Sequence, residues 1–125
     1  MRNTIKTLTL VLCGILAAST AFAAGALDGR SYQGEIVEQG KTKGDADTFV
    51  FDNGRFRSLA CDKNGFGDAP YSGDGTRFEA TTTSKSKGEM AWKGTVSGNA
   101  VEGTVQWSKD GKPKTQYHFK GTLKS

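Results

Sequence analysis

Three side chains are the candidates for catalytic chemistry in this chain of 125 residues: Ser58 and Cys61 as nucleophiles, and His118, the only histidine, as a base. A nucleophile needs a base within hydrogen-bond reach. Tyr117 and Phe119 flank the histidine, and if both point inward on a strand, alternation directs His118 outward, away from Ser58. We therefore expect Ser58 to be buried and bonded to a backbone carbonyl, and we predict no catalytic residue.

The segment Asp62–Asp68 spaces acidic and amide side chains somewhat as a calcium-binding loop does. It lacks a third acid at the required offset and the closing glutamate of an EF-hand. His118 has no second histidine and no cysteine pair with which to form a zinc or copper site. We therefore predict a glycine-rich connection between strands here, no metal site and no cofactor.

The first 23 residues have the order of a secretory signal peptide. Basic residues come first, an apolar stretch occupies residues 8–18, and the small-residue pattern Ala21-Phe22-Ala23 follows. The apolar stretch is too short to span a bilayer. We predict cleavage after Ala23, one domain over residues 24–125, no membrane span, and a location in the periplasm or outside the cell.

Charge and cysteine content argue against a nucleic-acid partner and against a disulfide. Without Arg2 and Lys6, 15 basic residues face 13 acidic ones, a net charge of +2 whose signs alternate along the chain. A nucleic-acid footprint is instead a one-sided basic stripe, so we predict no nucleic-acid partner. Because Cys13 belongs to the predicted signal peptide, Cys61 has no intramolecular disulfide partner. Its thiol is either buried or paired with another molecule, and we expect it to be buried.

The rest of the chain alternates apolar and polar residues in short runs between Gly, Asn and Asp, which predicts short strands and tight turns. The Asn-Gly pair at 53–54 predicts a hairpin with Phe51 opposite Phe56 and Phe49 opposite Ser58. The Gly-Asn pair at 98–99 predicts a second hairpin, in which Trp92 faces Val105 and Met90 faces Trp107. Slipping that register by one residue would expose both indoles.

A third turn signal, Asp74-Gly75, is expected to set Tyr71 against Phe78. Glycines face each other at positions 94 and 103 of the second hairpin, which predicts a bend in both strands of the kind that a small barrel needs. Eight strands fit into the chain after the signal segment. We predict an all-β fold, an eight-stranded antiparallel up-and-down barrel, with a two-sheet β-sandwich as the alternative.

Two stretches of the chain, FDNGRFRS at 51–58 and MAWKGTV at 90–96, resemble small exported bacterial β-barrel proteins of uncharacterised function. The architecture is more distantly similar to the calycins, the lipocalin and avidin group of ligand-holding barrels. The segment Leu27–Tyr32 resembles the Gly-x-Trp start of a lipocalin, with Tyr32 in place of the tryptophan. The resemblance implies a closed barrel that holds a small, partly apolar ligand.

Two binding functions stay open, because the interior of an eight-stranded barrel is just large enough to be filled or to hold one small ligand. In the first, a small, partly apolar molecule is enclosed by the candidate ligand-binding residues Phe51, Phe56, Ser58, Tyr71, Trp92, Trp107 and Tyr117. In the second, a solid barrel binds another envelope protein, as an inhibitor or accessory subunit, through the loops Glu38–Ala46, Asp62–Ala69 and Ser84–Gly88.

Overall fold

A computed structural model describes residues 25–124 and contains one closed antiparallel barrel. Each strand pairs with its neighbour in the chain, and the last strand pairs with the first. The strands are β1 Arg30–Glu38, β2 Asp45–Asp52, β3 Arg55–Ser58, β4 Ala69–Gly73, β5 Arg77–Ser84, β6 Gly88–Ser97, β7 Ala100–Lys109 and β8 Lys112–Leu123, and one short helix, α1, covers Leu59–Asp62. The predicted eight-stranded up-and-down barrel is confirmed.

The predicted signal peptide at 1–23 lies outside the described residues. Within residues 25–124, none of the helical structure is long and apolar enough to cross a membrane.

The first two predicted hairpins have the predicted register. Phe51 lies opposite Phe56 and Phe49 opposite Ser58, across a turn in which residues 53 and 54 both have a positive φ, 52° and 72°. In the second hairpin, Met90 lies opposite Trp107. The alternation of inward and outward side chains was sufficient to determine both registers.

The predicted pairing of Tyr71 with Phe78 is wrong, because Tyr71 lies opposite Ala80. The side chain of Asp74 supports a wider turn than the predicted one: its Oδ1 accepts hydrogen bonds from the backbone N–H of Thr76 at 2.9 Å and from the Thr76 hydroxyl at 2.8 Å. The shift amounts to two residues, so both aromatic side chains keep their predicted inward orientation.

Aromatic rings fill one half of the barrel around Phe51. Its ring centroid lies 4.8–6.0 Å from those of Tyr32, Phe56, Tyr71 and Phe78. Most of these contacts are tilted or edge-to-face, the arrangements that aromatic pairs prefer. The side chains themselves therefore occupy the space around the barrel axis at this end.

Trp92 lies at the centre of the ring contacts in the other half of the core. Its ring lies 6.0 Å from Phe49, 4.9 Å from Phe56 and 5.2 Å from Phe119, measured between centroids. Its indole N–H donates to the hydroxyl of Thr82 at 3.2 Å. Trp92 is 1% exposed, so a full ring system with a satisfied polar atom lies where a hollow barrel would hold a ligand.

Gly94 and Gly103, which face each other on β6 and β7, let the barrel wall lie directly on the core. A Cβ at Gly94 would lie 2.5 Å from Cε1 of Phe78 and 2.9 Å from Cζ of Phe119. A Cβ at Gly103 would lie 1.9 Å from the carbonyl oxygen of Lys93. No side chain larger than hydrogen fits at either position without a shift of the backbone or of the rings.

Candidate functional site

The seven residues predicted to bind a small ligand all belong to the interior of the barrel. Phe51, Phe56, Ser58, Tyr71 and Trp92 are buried, and Trp107 and Tyr117 are half-buried against the same core. The buried rings among them contact one another or further core rings, so they occupy the volume that the predicted ligand would take. Their role in ligand binding stays a prediction.

Tyr71 helps to close the end of the barrel at which the described chain begins. Its hydroxyl donates to Oδ1 of Asp28 at 2.8 Å and accepts a hydrogen bond from the backbone N–H of Leu27, also at 2.8 Å. The Asp28 carboxylate also accepts from the N–H of Gly54 at 3.0 Å. Burial, together with the bond to Asp28, raises the pKa of Tyr71 to about 12. The hydroxyl is thus a structural partner and not a free ligand-binding group.

Ser58 is buried as predicted, but the predicted bond to a backbone carbonyl is wrong. Its hydroxyl donates to Oδ2 of Asp47 at 2.5 Å and accepts from the N–H of Cys61 at 3.3 Å. The other oxygen of Asp47 accepts from the N–H of Thr48 at 2.7 Å and of Ala60 at 2.9 Å. The serine and the carboxylate together cap the first turn of α1.

Asp47 was missed by the sequence analysis, although a signal for it exists. It precedes Phe49 and Phe51 at the two-residue spacing of the inward face, so alternation predicts an inward carboxylate. The side chain is 4% exposed, and desolvation raises its pKa above the usual 3.8 although Ser58, Ala60 and Thr48 donate to it. A buried carboxylate with three donors is a rigid structural element.

Cys61 is buried, as predicted. Its Sγ lies 3.9 Å from Sδ of Met90, and burial is the main cause that raises the thiol pKa to about 11. His118 is exposed on the outer wall, on the side of the strand opposite to its inward neighbours. The histidine therefore does not activate the sulfur or the hydroxyl of Ser58, in agreement with the outward orientation predicted for it.

The acidic residues of the calcium-like loop are engaged in ion pairs with β3. Asp62 binds the guanidinium of Arg57, and Oδ1 of Asp68 lies 3.1 Å from Nε of Arg55. Across residues 25–124, no group of three or more histidine, cysteine, aspartate or glutamate side chains is arranged to hold a metal ion. The loop serves to connect β3, α1 and β4.

The three loops predicted to bind a protein partner lie at the same end of the barrel, because alternate connections of an up-and-down barrel share an end. The hydroxyl of Ser84 donates to the carbonyl of Asn64 at 2.9 Å and so ties the third loop to the second. The indole N–H of Trp107 donates to the carbonyl of Lys87 at 2.6 Å. These bonds fix the loops at this end of the barrel relative to one another. We call it the helix end, because α1 lies there.

An open groove of about 940 Å³ lies on the outer wall. Six neighbouring strands, β4, β5, β6, β7, β8 and β1, contribute to it, together with a loop from each end of the barrel. Its acidic lining residues are Glu35, Asp74, Glu79 and Glu102, and its basic ones are Lys41, Arg77, Lys93 and Lys120. His118 also lines it. We call this feature the outer groove.

The charges of the outer groove lie next to charges of opposite sign on neighbouring strands. Glu79 lies opposite Lys93, and Glu102 lies opposite Lys120. Nζ of Lys120 is also 3.7 Å from Oε2 of Glu35. All of these residues are polar and outward-facing. The sequence analysis did not predict the groove, because polar outward positions carry no signal of a recess and because closure of the barrel is needed to place β1 beside β8.

No protein-family model, curated protein or solved structure matches the chain.

Proposed function

We propose that this protein is a binding module that holds a segment of another protein in the outer groove. One observation carries the proposal: aromatic side chains fill the barrel interior, whereas an open recess of about 940 Å³ lies on the outer wall. Ligand-binding pockets are commonly about 300–1,000 Å³ in volume, so the groove has sufficient room for a substantial ligand.

The shape of the groove suits an extended chain. Its lining begins at Lys41 and Thr42, in the loop between β1 and β2 at the helix end, and reaches Ser72 and Asp74 at the opposite end. Between them it crosses the outer faces of five strands. A polypeptide can follow such a path with successive side chains, whereas a compact small molecule would contact only part of it.

The charges of the lining favour a polypeptide over other ligand classes. Four acidic and four basic side chains line the groove, so a partner needs both signs in turn, as a mixed protein segment has. A lining without an excess of positive charge offers the phosphates of a nucleic acid no net attraction. An apolar small molecule would have to displace water from these charged side chains without forming polar contacts in return.

The competing function, a small apolar molecule enclosed in the barrel, requires the core to open. Phe51 and Trp92 are each 1% exposed and are held by several rings. Displacing either ring would forfeit the burial and the ring contacts that hold the barrel together. The outer groove needs no such rearrangement, and this difference favours the protein-binding function.

The predicted signal peptide indicates the compartment in which the partner is expected. A chain exported across the cytoplasmic membrane would meet proteins of the envelope, so the partner is an envelope protein and the module acts as an inhibitor or an accessory subunit. This part of the proposal rests on the amino-terminal sequence alone.

Site-specific photo-crosslinking tests the proposal in cells that produce the protein. A photoreactive phenylalanine analogue is placed at Thr95, which is exposed in the outer groove, and in a matched variant at Thr83, which is exposed on β5 outside it. We expect a discrete adduct with one protein from position 95 and not from position 83. Adding the charge reversal Lys93→Glu should reduce that adduct at least fivefold.

Two results would contradict the proposal. Position 95 would form no adduct, or positions 95 and 83 would form the same adducts in equal yield. The enclosed-ligand function is tested in parallel by native mass spectrometry of the purified protein. A small molecule that co-purifies and is lost on unfolding would favour the barrel interior instead.

A further inference from the structure

A thiol and a thioether meet at the helix end of the barrel. Sγ of Cys61, in α1, lies 3.9 Å from Sδ of Met90, in β6. Sulfur ligands of these two kinds, thiolate and thioether, select soft metal ions such as Cu(I). We infer that Cys61 and Met90 form a binding site for one soft monovalent metal ion, of the class of Cu(I) and Ag(I).

The distance between the two sulfur atoms fits one metal ion bound to both. A metal–thiolate bond is about 2.3 Å long, and two bonds of that length to sulfurs 3.9 Å apart enclose an angle of about 120° at the metal. That angle is typical of a three-coordinate site with a third position free for water or an incoming ligand.

Negative charge near the thiol favours a cation. The carboxylates of Asp47 and Asp62 act electrostatically on Cys61. Oδ2 of Asp62 is paired with Arg57, whereas, among the described residues, its Oδ1 is buried and accepts no hydrogen bond. A cation bound at the sulfur pair would partly compensate this charge.

Binding is an exchange of a proton for a metal ion. The S–H bond of Cys61 breaks, the proton passes to solvent, and the thiolate electron pair forms the bond to the metal, while the Met90 sulfur donates a lone pair. No atom changes its oxidation state. Hard ions such as Ca²⁺ and Mg²⁺ prefer oxygen ligands and are not expected to compete.

The site lies close to the surface and next to a fluorescent reporter. Cys61 is 6% and Met90 7% exposed, so a small ion has a short path to the sulfurs. Trp107 lies directly opposite Met90 on β7 and is half-buried. A heavy ion at the sulfur pair should therefore quench the indole emission of Trp107.

Titration with Ag(I), which does not change oxidation state in air, tests the inference. Every protein carries Cys13→Ser so that Cys61 is the only thiol, and binding is followed by native mass spectrometry and tryptophan emission. We expect one Ag(I) per folded chain, with quenching. Met90→Leu should weaken binding at least tenfold, and Cys61→Ala should abolish it.

Leucine is a volume-conserving replacement for methionine, and global replacement of methionine by norleucine removes the sulfur with still less change of shape. Circular dichroism checks that each protein is folded. Three outcomes would overturn the inference: no Ag(I) bound to the folded protein, affinity unchanged by both Met90→Leu and norleucine, or more than one ion bound with equal affinity. The second outcome would mean that the thiol binds silver alone.

Discussion

The hydroxyl of Tyr71 donates to Oδ1 of Asp28 across 2.8 Å, although 43 residues separate the two in the chain. This bond attaches the segment before β1 to β4, and the backbone of Leu27 joins it by donating to the same hydroxyl. Leu27 is fully buried, so the segment covers the aromatic core at this end of the barrel. The bond between Tyr71 and Asp28 therefore holds this segment in place over the aromatic rings.

Tyr71→Phe should lower the free energy of unfolding by about 1–3 kcal/mol, the usual cost of leaving a buried donor without a partner. The buried N–H of Leu27 loses its acceptor, and Asp28 loses a donor. Urea unfolding at neutral pH measures the change. Tyr32→Phe is the control. The Tyr32 hydroxyl accepts only from the side chain of Arg30, and water can replace the hydroxyl as acceptor for that guanidinium. Equal losses in the two variants would contradict this account.

The same bond predicts a loss of stability at alkaline pH. The pKa of Tyr71 is raised from 10.0 to about 12 in the folded protein, so the folded state retains a proton that the unfolded state has lost. The contribution of Tyr71 is complete below pH 10 and is lost as the pH rises from about 10 to about 12. The stability difference between the wild type and Tyr71→Phe should shrink from pH 9 to pH 11.5. A constant difference would contradict the raised pKa.

Gly94→Ala should destabilise the protein by about 1–3 kcal/mol, the usual range for overpacking a core. The added methyl group would lie 2.5 Å from the Phe78 ring and 2.9 Å from the Phe119 ring. Thr95→Ala, at the next position of β6 and outward-facing, is the control and should change stability by less than about 0.5 kcal/mol. Denaturant unfolding compares the two variants. If Gly94→Ala is as stable as Thr95→Ala, the backbone at Gly94, which lines the outer groove, does not lie in close contact with the core rings.

Local sequence patterns were sufficient to predict the fold, because an up-and-down barrel is built almost entirely from pairs of strands that are neighbours in the chain. Alternation between Phe49 and Phe51 and the positive-φ turn at 53–54 sufficed for the first hairpin. The same reasoning placed Met90 opposite Trp107. Each of these features involves residues within about ten positions of the turn, where side-chain periodicity is decisive.

Side-chain chemistry at the turns and contacts between distant strands were harder to predict. Asp74 widens its turn through bonds to Thr76, and no rule for a two-residue turn contains that interaction. The bond between Asp47 and Ser58 joins β2 to the end of β3, and the approach of Cys61 to a methionine sulfur depends on how α1 covers the barrel end. The outer groove likewise depends on closure of the barrel, which places β1 beside β8.

Asp47→Asn should lower stability by about 1–3 kcal/mol at neutral pH, because one carboxylate acceptor becomes an amide donor that faces other donors. The N–H groups of Thr48 and Ala60 and the hydroxyl of Ser58 then compete for a single oxygen. Asp45→Asn is the control, since Asp45 is exposed on the same strand. Denaturant unfolding should leave this control within about 0.5 kcal/mol of the wild type.

The pH dependence of the Asp47→Asn effect has a defined sign. Desolvation raises the pKa of Asp47 above 3.8 in the folded protein, so the part of its contribution that depends on protonation is largest below pH 3.8 and is lost as the pH rises through the folded pKa. The stability difference between wild type and Asp47→Asn should therefore be larger at pH 3.5 than at pH 7. A larger difference at pH 7 would mean that the three donors outweigh burial.

The thiol of Cys61 should react slowly while the protein is folded. Burial is the main cause that raises its pKa from 9.0 to about 11, and the thiolate is the reactive form, so at pH 8 the ionised fraction falls roughly a hundredfold. In the Cys13→Ser background, labelling by a disulfide reagent at pH 8 should be at least that much slower in buffer than in urea. The reduction is greater still if the 6% exposed side chain excludes the reagent. Labelling at the same rate in both conditions would show instead a reactive thiol at the helix end, and thiol chemistry would then have to be reconsidered as the function of this site.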